Sequence, residues 1–311
     1  MNNHYDIVII GSGLAGLTAG LYCGRARLKT VILEKDNLGG VIINIEMIEN
    51  WPGVEEDSIM GADLAGNTLS QVLQYNVDMQ CPADVSGIEL LESGIKKIHT
   101  ENENYSAKAI IIAGGTHPKN LEIKGLDEFF GNGVYDCVLC DGDPLAGKHI
   151  AVIGGGDAGV TGALYMARLG CKIILVEVLP NLTATKVLQE RINETQNVEI
   201  ICSTGAESIE AKGDVRALQL KDVVTGEQRV IDLDGIFILA GREPQTEYLK
   251  GILEMDRAGF INVTNKMETN VPGIFAAGDI RRDSARQIIT AAGDGATAAI
   301  SAERFISERS W

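Results

Sequence analysis

The chain has 311 residues, about twice the ~150 expected of one domain, so it can build two separate cores. Its 27 Lys and Arg against 43 Asp and Glu give a formal charge of −16, and no basic cluster stands out, which argues against nucleic acid and anionic membrane as partners. No apolar run reaches the length of a membrane span, and Met1 to Gly11 lacks the basic start and cleavage site of a signal peptide, so a soluble, cytoplasmic protein is expected.

Asp6 to Ile10 is a short β-branched run that leads into Gly11-Ser12-Gly13-Leu14-Ala15-Gly16, after which Leu17, Ala19 and Leu21 continue with helical character. That order predicts strand, tight turn and helix. Gly11 permits the turn, Gly13 lets backbone approach a pyrophosphate, and Gly16 lets helix and strand pack closely, with the helix N-terminus facing the phosphates. The next strand, Thr30 to Leu33, ends at Glu34, whose carboxylate is placed to accept hydrogen bonds from the ribose hydroxyls of an adenosine. The other reading is a glycine-rich turn with no ligand. The pattern alone does not separate FAD from NAD.

Polar turns around Ser93-Gly94 and Glu101 to Asn104 separate short strands that end at Ala109 to Ala113, a hairpin insert in the first unit. Gly114 to Pro118 then reads as a linker. Cys137-Val138-Leu139-Cys140-Asp141 follows, a redox pair set between two dinucleotide patterns, which suggests an electron relay. Half of a structural zinc site is the alternative, but there is no second close cysteine pair and the four histidines are scattered, so no metal is expected. His149 to Ile153 forms another strand, followed by Gly154-Gly155-Gly156-Asp157-Ala158-Gly159 and a helix through Leu169. The strand Lys172 to Val176 ends at Glu177, and Gly154 to Glu177 repeats the spacing of Gly11 to Glu34. One construction therefore occurs twice.

A second linker is expected at Gly241 to Pro244. Gly273 to Asp279 reads as a buried strand that stops at a Gly-Asp turn, and Arg286-Gln287 open a small-residue helix through Ala291, Ala292, Ala298 and Ala299. Asp279 either contacts a phosphate or ribitol or simply ends a core strand beside a helix cap. The expected fold is α/β, with two Rossmann-like three-layer dinucleotide-binding domains, the second inserted into the first. The first is discontinuous, residues 1–116 and 245–311, and the second is residues 117–244. Cys23, Cys81, Cys171 and Cys202 stand singly in or beside apolar segments and are expected as buried thiols.

With these motifs in order, joined by Gly39-Gly40 and Glu49-Asn50-Trp51-Pro52-Gly53, the chain resembles the low-molecular-weight thioredoxin reductases over nearly its whole length. The resemblance implies FAD in the discontinuous domain, a pyridine-nucleotide-binding-like inserted domain carrying a redox disulfide, and a homodimer. Carried over residue by residue, FAD would be held by Gly11, Ser12, Gly13, Leu14, Ala15, Gly16, Glu34, Lys35, Gly40, Asn50, Val85, Ala113, Gly278, Asp279, Arg286, Gln287 and Ile288. A nicotinamide nucleotide would meet Gly154, Gly156, Asp157, Ala158, Gly159 and Glu177. Cys140 would be the thiol next to the flavin, Cys137 the one that attacks a partner disulfide, and Asp141 the acid-base group. The partner implied is thioredoxin or a glutaredoxin-like protein, reached by rotation about the two linkers.

Two departures qualify the resemblance. NADPH-dependent members carry a basic cluster after the second unit's second strand, whereas Val176 to Thr183 here holds no arginine or histidine and has Glu177 where the clamp would begin. A carboxylate repels a 2′-phosphate and accepts hydrogen bonds from a free diol, so NADH is favoured over NADPH. Supply by reduced ferredoxin or a deazaflavin, with no nicotinamide, is the main alternative. A dithiol oxidase using oxygen and a redox-sensing flavoprotein without turnover are the others. The second departure is Gly40 to Ile45, more apolar than the polar stretch that relatives place beside the flavin.

Overall fold

Ile7 to Ile10 are all buried, and the alternation of the strand sends Ile7 and Ile9 into one core and Val8 and Ile10 into another. A strand buried on both faces needs cover on both, and this requirement organises the first unit. The computed structural model describes residues 3–54, 58–212 and 215–311, and the chain divides into two compact units, Met1–His117 with Glu243–Trp311 and Pro118–Arg242.

In chain order the first unit holds strands β1 (His4–Ile10), β2 (Thr30–Leu33), β3 (Asp78–Gln80), β4 (Val85–Leu90), β5 (Lys96–Thr100), β6 (Asn104–Ile112) and β7 (Thr116–Pro118), with helices α1 (Leu14–Arg25) and α2 (Gly61–Leu73). The chain continues through α3 (Leu126–Phe129), β8 (Val134–Tyr135), α4 (Val138–Asp141), β9 (His149–Ile153), α5 (Asp157–Arg168), β10 (Lys172–Val176), α6 (Lys186–Glu194), β11 (Val198–Ile201), β12 (Thr204–Lys212), β13 (Val215–Asp222), β14 (Gln228–Leu233) and β15 (Gly235–Ile238). It returns by β16 (Arg242–Pro244) to β17 (Ile274–Ala276) and α7 (Ile288–Ser307).

The first sheet runs β3-β2-β1-β6-β5-β4, with β17 also paired to β6. β1 is parallel to both β2 and β6, while β4 and β5 form the antiparallel hairpin expected from the turns at 93–94 and 101–104. One face packs on α1 and α7 through Leu17, Ala298 and Ala302; the other is covered by Ile88 and Ile98 of the hairpin and by Leu249, Leu253 and Ile261. The second unit repeats the plan with a parallel sheet β11-β10-β9-β15-β8 and an antiparallel meander β12-β13-β14. Val152 and Leu175 face Val160 and Ile192 on the helical side, and Ala151 and Ile174 face Leu218 and Leu233 of the meander. Each unit therefore has the three layers of a Rossmann-like domain with a β-meander or hairpin as one outer layer. β7 and β16, the two chain crossings, pair with each other, and His117 Nε2 lies 3.1 Å from Glu243 Oε1.

Among the described residues no helix is long and apolar enough to cross a membrane. The expectation of four buried single cysteines is corrected at two positions. Cys23 and Cys171 are buried, but Cys81 is exposed and Cys202 half-buried. Each of those two is the first residue after a parallel strand, β3 and β11, where the chain leaves the end of the sheet, and both strands are themselves only partly buried.

Candidate active site

At Gly11 the chain turns with φ +99°, and at Gly154 with φ +124°, a region closed to residues with a side chain. The two turns share their backbone contacts. The amides of Gly11 and Gly154 donate to the carbonyls of Leu33 and Val176 at 2.8 Å each. A Cβ at Gly16 would fall 1.9 Å from the Gly11 carbonyl oxygen, and one at Gly159 would fall 1.8 Å from that of Gly154. A Cβ at Gly11 would strike the carbonyl of Ala113, and one at Gly154 that of Leu239. These glycines are therefore required by packing of turn, helix and sheet.

Gly13 and Gly156 differ. Nothing lies within 4 Å of a Cβ built on Gly13, and the nearest atom to one on Gly156 is Thr183 Oγ1 at 3.6 Å. Both N-cap their helices without any side-chain cap, which leaves the first-turn amides of α1 and α5 aimed outward from open backbone. That is the form of a pyrophosphate cradle, and on this observation the first unit fits FAD and the second fits a dinucleotide. Asp157 in the first turn of α5 is engaged, its Oδ1 accepting from the Thr185 amide at 2.7 Å.

The acids at the strand ends are set alike. Glu34 Oε2 accepts from the Ser12 amide at 2.8 Å and Oε1 from the Asp36 amide at 3.0 Å; Glu177 Oε2 accepts from Gly155 at 2.7 Å and Oε1 from Leu179 at 2.8 Å. The Ser12 hydroxyl also donates to Glu34 and accepts from the Gly39 amide, tying the next loop to the turn. In the second unit Gly155 has no hydroxyl, and Leu182 fills that space: a Cβ on Gly155 would lie 2.7 Å from Leu182 Cδ2. The loop after Glu177 is pinned by the amides of Thr183 and Ala184, both donating to the Gly155 carbonyl. Val178 and Leu179 remain exposed on it. Cys81 and Cys202, expected as buried thiols, stand instead beside these acids: burial first and then Glu34 raises the Cys81 pKa, and burial first and then Glu177 raises that of Cys202. The signal for them was positional, since each follows the strand that pairs with the acid-bearing one.

The structure brings the remaining residues proposed for FAD to the same end of the first sheet. Lys35 pairs with Asp84 at 3.0 Å, next to Val85 at the start of β4. Gly40 approaches Gly13 so closely that its Cβ would lie 3.0 Å from the Gly13 Cα. Asn50 Nδ2 donates to Gln287 Oε1 at 2.9 Å, joining segments 237 residues apart. Gly278 packs on Ala15, Asp279 accepts from the Ser284 hydroxyl at 3.1 Å, and the Arg286 guanidinium lies over the Phe260 ring at 5.1 Å. The apolar stretch after Gly40 forms a 3-10 turn, Gly40–Asn44, that buries Ile42 against Leu14, Ile48 and Leu64 while Ile288 packs on the same cluster. Ile42, with Ile43 and Ile45 partly buried beside it, thus serves the seam between α1 and α2, while Val41 on the same turn stays exposed.

In the second unit Cys137 and Cys140 form a disulfide, with sulfurs 2.02 Å and Cα atoms 5.3 Å apart. Cys137 caps α4, its Sγ accepting from the Cys140 amide at 3.2 Å; Cys140 is exposed and Cys137 half-buried. The Asp141 amide donates to the Cys137 carbonyl at 3.1 Å, and the Asp141 carboxyl is raised above the ordinary carboxylate range by burial and then by Asp136.

Two Rossmann-like units, one carrying an exposed Cys-x-x-Cys disulfide, define a flavin-dependent disulfide oxidoreductase. The chain belongs to the pyridine nucleotide-disulphide oxidoreductase family, whose model matches residues 5–295. Thioredoxin reductase of Mycolicibacterium smegmatis is 34% identical over 306 residues, covering 98% of this chain and 97% of that one. The crystal structure of Lactococcus lactis thioredoxin reductase superposes with a TM-score of 0.93 at 38% identity, covering 98% of this chain and all of the other. That of T. acidophilum thioredoxin reductase gives 0.92 at 33% identity, covering 97% and 98%. Within the family this chain is of the low-molecular-weight thioredoxin reductase type, an FAD-dependent disulfide oxidoreductase.

Proposed function

We propose that this enzyme reduces its Cys137–Cys140 disulfide with electrons taken from NADH in preference to NADPH, and that the dithiol then reduces thioredoxin or a glutaredoxin-like protein. FAD, when bound, supplies a carrier that accepts a hydride's two electrons and returns them to a disulfide. The observation that carries the donor preference is Glu177. It is buried, and its carboxylate has the same backbone contacts as Glu34, with no arginine or histidine between Val176 and Thr183. Each carboxylate oxygen keeps a lone pair beyond its amide, enough to accept from a ribose diol, whereas a 2′-phosphate would meet like charge.

Reduction of the disulfide takes two electrons and two protons. Cys137, as thiolate, then attacks the partner disulfide; a Cys137–partner bond forms and the partner's other sulfur leaves and takes a proton. Attack by Cys140 on Cys137 restores the internal disulfide and frees the second partner thiol. The Cys140 amide aimed at Cys137 Sγ supports negative charge there. Asp141, next to Cys140 in sequence and with its carboxyl pKa raised by burial and then by Asp136, is the group assigned the proton donor's role.

Supply by reduced ferredoxin or a deazaflavin is the second reading. It is favoured by the packing that Gly154, Gly155 and Gly159 each satisfy within the protein, which leaves Gly156 as the glycine that speaks for a nucleotide. Anaerobic mixing of the holoenzyme separately with NADH, NADPH, reduced ferredoxin and a reduced deazaflavin tests both. Flavin bleaching by NADH at least tenfold faster than by NADPH is expected. Equal or faster bleaching by NADPH overturns the preference, and bleaching by ferredoxin or deazaflavin alone replaces it with the second reading.

A further inference from the structure

Asp294 is a carboxylate only 7% exposed, on the second turn of α7. Arg281 grips it with both arms of its fork, Nε to Oδ2 at 2.6 Å and Nη2 to Oδ1 at 3.1 Å, and spends Nη1 on the Arg282 carbonyl at 3.2 Å. Asp294 Oδ2 also accepts from the backbone amide of Gly278 at 3.2 Å. Gly278 sits at φ +80°, where a Cβ would meet Ala15 Cβ at 2.9 Å and Ala291 Cβ at 3.6 Å. The residue after Asp294, Gly295, touches the Ala15 carbonyl so closely that a Cβ there would lie 2.1 Å from its oxygen. One turn of α7 therefore fixes two other turns: Gly278–Asp279 through a hydrogen bond, and the start of α1 through backbone contact.

Such an arrangement has an electrostatic reason. A bare carboxylate buried beside Gly278 would repel an anionic pyrophosphate and would carry a large desolvation cost. The guanidinium cancels that charge and, being planar and bidentate, holds the carboxylate in the one orientation that still reaches the Gly278 amide. We propose that Arg281 and Asp294 are a positioning pair for the flavin, holding the Gly278–Asp279 turn in its FAD-accepting conformation without touching the cofactor. The inference rests on the assignment of Gly278 and Asp279 to the flavin seat.

The test uses the full chain, stripped of FAD and reconstituted, with dissociation constants from flavin fluorescence and the visible flavin spectrum as readouts. Asp294→Ala and Arg281→Met are expected to weaken FAD binding at least tenfold and to shift or broaden the flavin band. Asp294→Asn, which keeps an oxygen for the Gly278 amide, is expected to recover most of the affinity lost in Asp294→Ala. FAD binding within threefold of the parent and an unchanged flavin band in folded Asp294→Ala overturn the proposal, as does an Asp294→Asn variant no better than Asp294→Ala. If Asp294→Ala does not fold, Arg281→Lys decides: it keeps the charge and loses the fork, and unchanged affinity and spectrum in it overturn the proposal. Asp279→Ala separates the two levels, because FAD lost there but kept in Asp294→Ala spares the seat and rejects the pair, whereas FAD kept in both rejects the seat.

Discussion

Asp141 follows the second cysteine directly, and the proton-donor role proposed for it rests on a pKa raised by burial first and by Asp136 second. Asp136 raises the Asp141 pKa in addition to burial, so at any pH above that pKa a larger fraction of Asp141 is protonated. Removing the negative neighbour lowers the pKa. Asp136→Asn is therefore expected to slow protein-disulfide reduction severalfold at neutral and alkaline pH and to leave it unchanged at acid pH, where Asp141 is protonated in both proteins; a pH–rate profile reads the difference. Asp141→Asn should cost on the order of a hundredfold at acid pH, with the loss shrinking as pH rises through the Asp141 pKa. At the same scale, Gly13 and Gly16 predict opposite failures. Gly16→Ala forces α1 off the Gly11 carbonyl and should lower the stability of the protein freed of FAD by about 1–3 kcal/mol in urea unfolding. Gly13→Ala meets open space, so the FAD-free protein should unfold as the parent does while FAD affinity falls at least tenfold.

A turn and the loop that covers it act as one piece in the second unit. Gly155, Glu177 and Leu182 share a single packed spot, and the Thr183 and Ala184 amides close it on the Gly155 carbonyl. Gly155→Ala should therefore destabilise this unit by about 1–3 kcal/mol. Gly156→Ala should leave its urea midpoint in place and abolish nucleotide binding in a fluorescence titration with NADH. The doubling of strand, turn, helix, strand and acid was legible in the residues because each part has a local signature: β-branched runs, glycines at fixed offsets and a carboxylate at a strand end. The hairpin of β4 and β5 was legible from its polar turns for the same reason. The loop's cover of Gly155 was not, since Leu182 reads as one more apolar residue until the fold brings it against a glycine 27 positions earlier.

At the scale of the whole molecule, two units with separate cores should answer to different ligands. A ligand that binds only the folded form stabilises it by RT ln(1 + [L]/Kd), about 2.7 kcal/mol at a hundredfold excess over Kd. Calorimetry of the FAD-free protein is expected to show two unfolding transitions, of which FAD raises one and NADH the other; a single transition raised equally by both would mean that the units unfold together. The net charge of −16 belongs to this scale too, and it bears on solubility and encounter with charged partners, not on the fold.

The order of motifs by itself determined the α/β class, the doubled dinucleotide pattern and the cysteine pair, because each is written in neighbouring residues whose spacing is set by strand and helix geometry. Burial at the strand ends had to wait for tertiary structure: Cys81 and Cys202 have apolar neighbours in sequence, yet they stand where the chain leaves the end of the sheet, beside Glu34 and Glu177. So did the partners of the two acids and the Arg281–Asp294–Gly278 contact, which joins a strand-end turn to a helix 13 to 16 residues on. Charge pairs and amide contacts of that kind depend on which surfaces the packed layers press together, and no local periodicity encodes them.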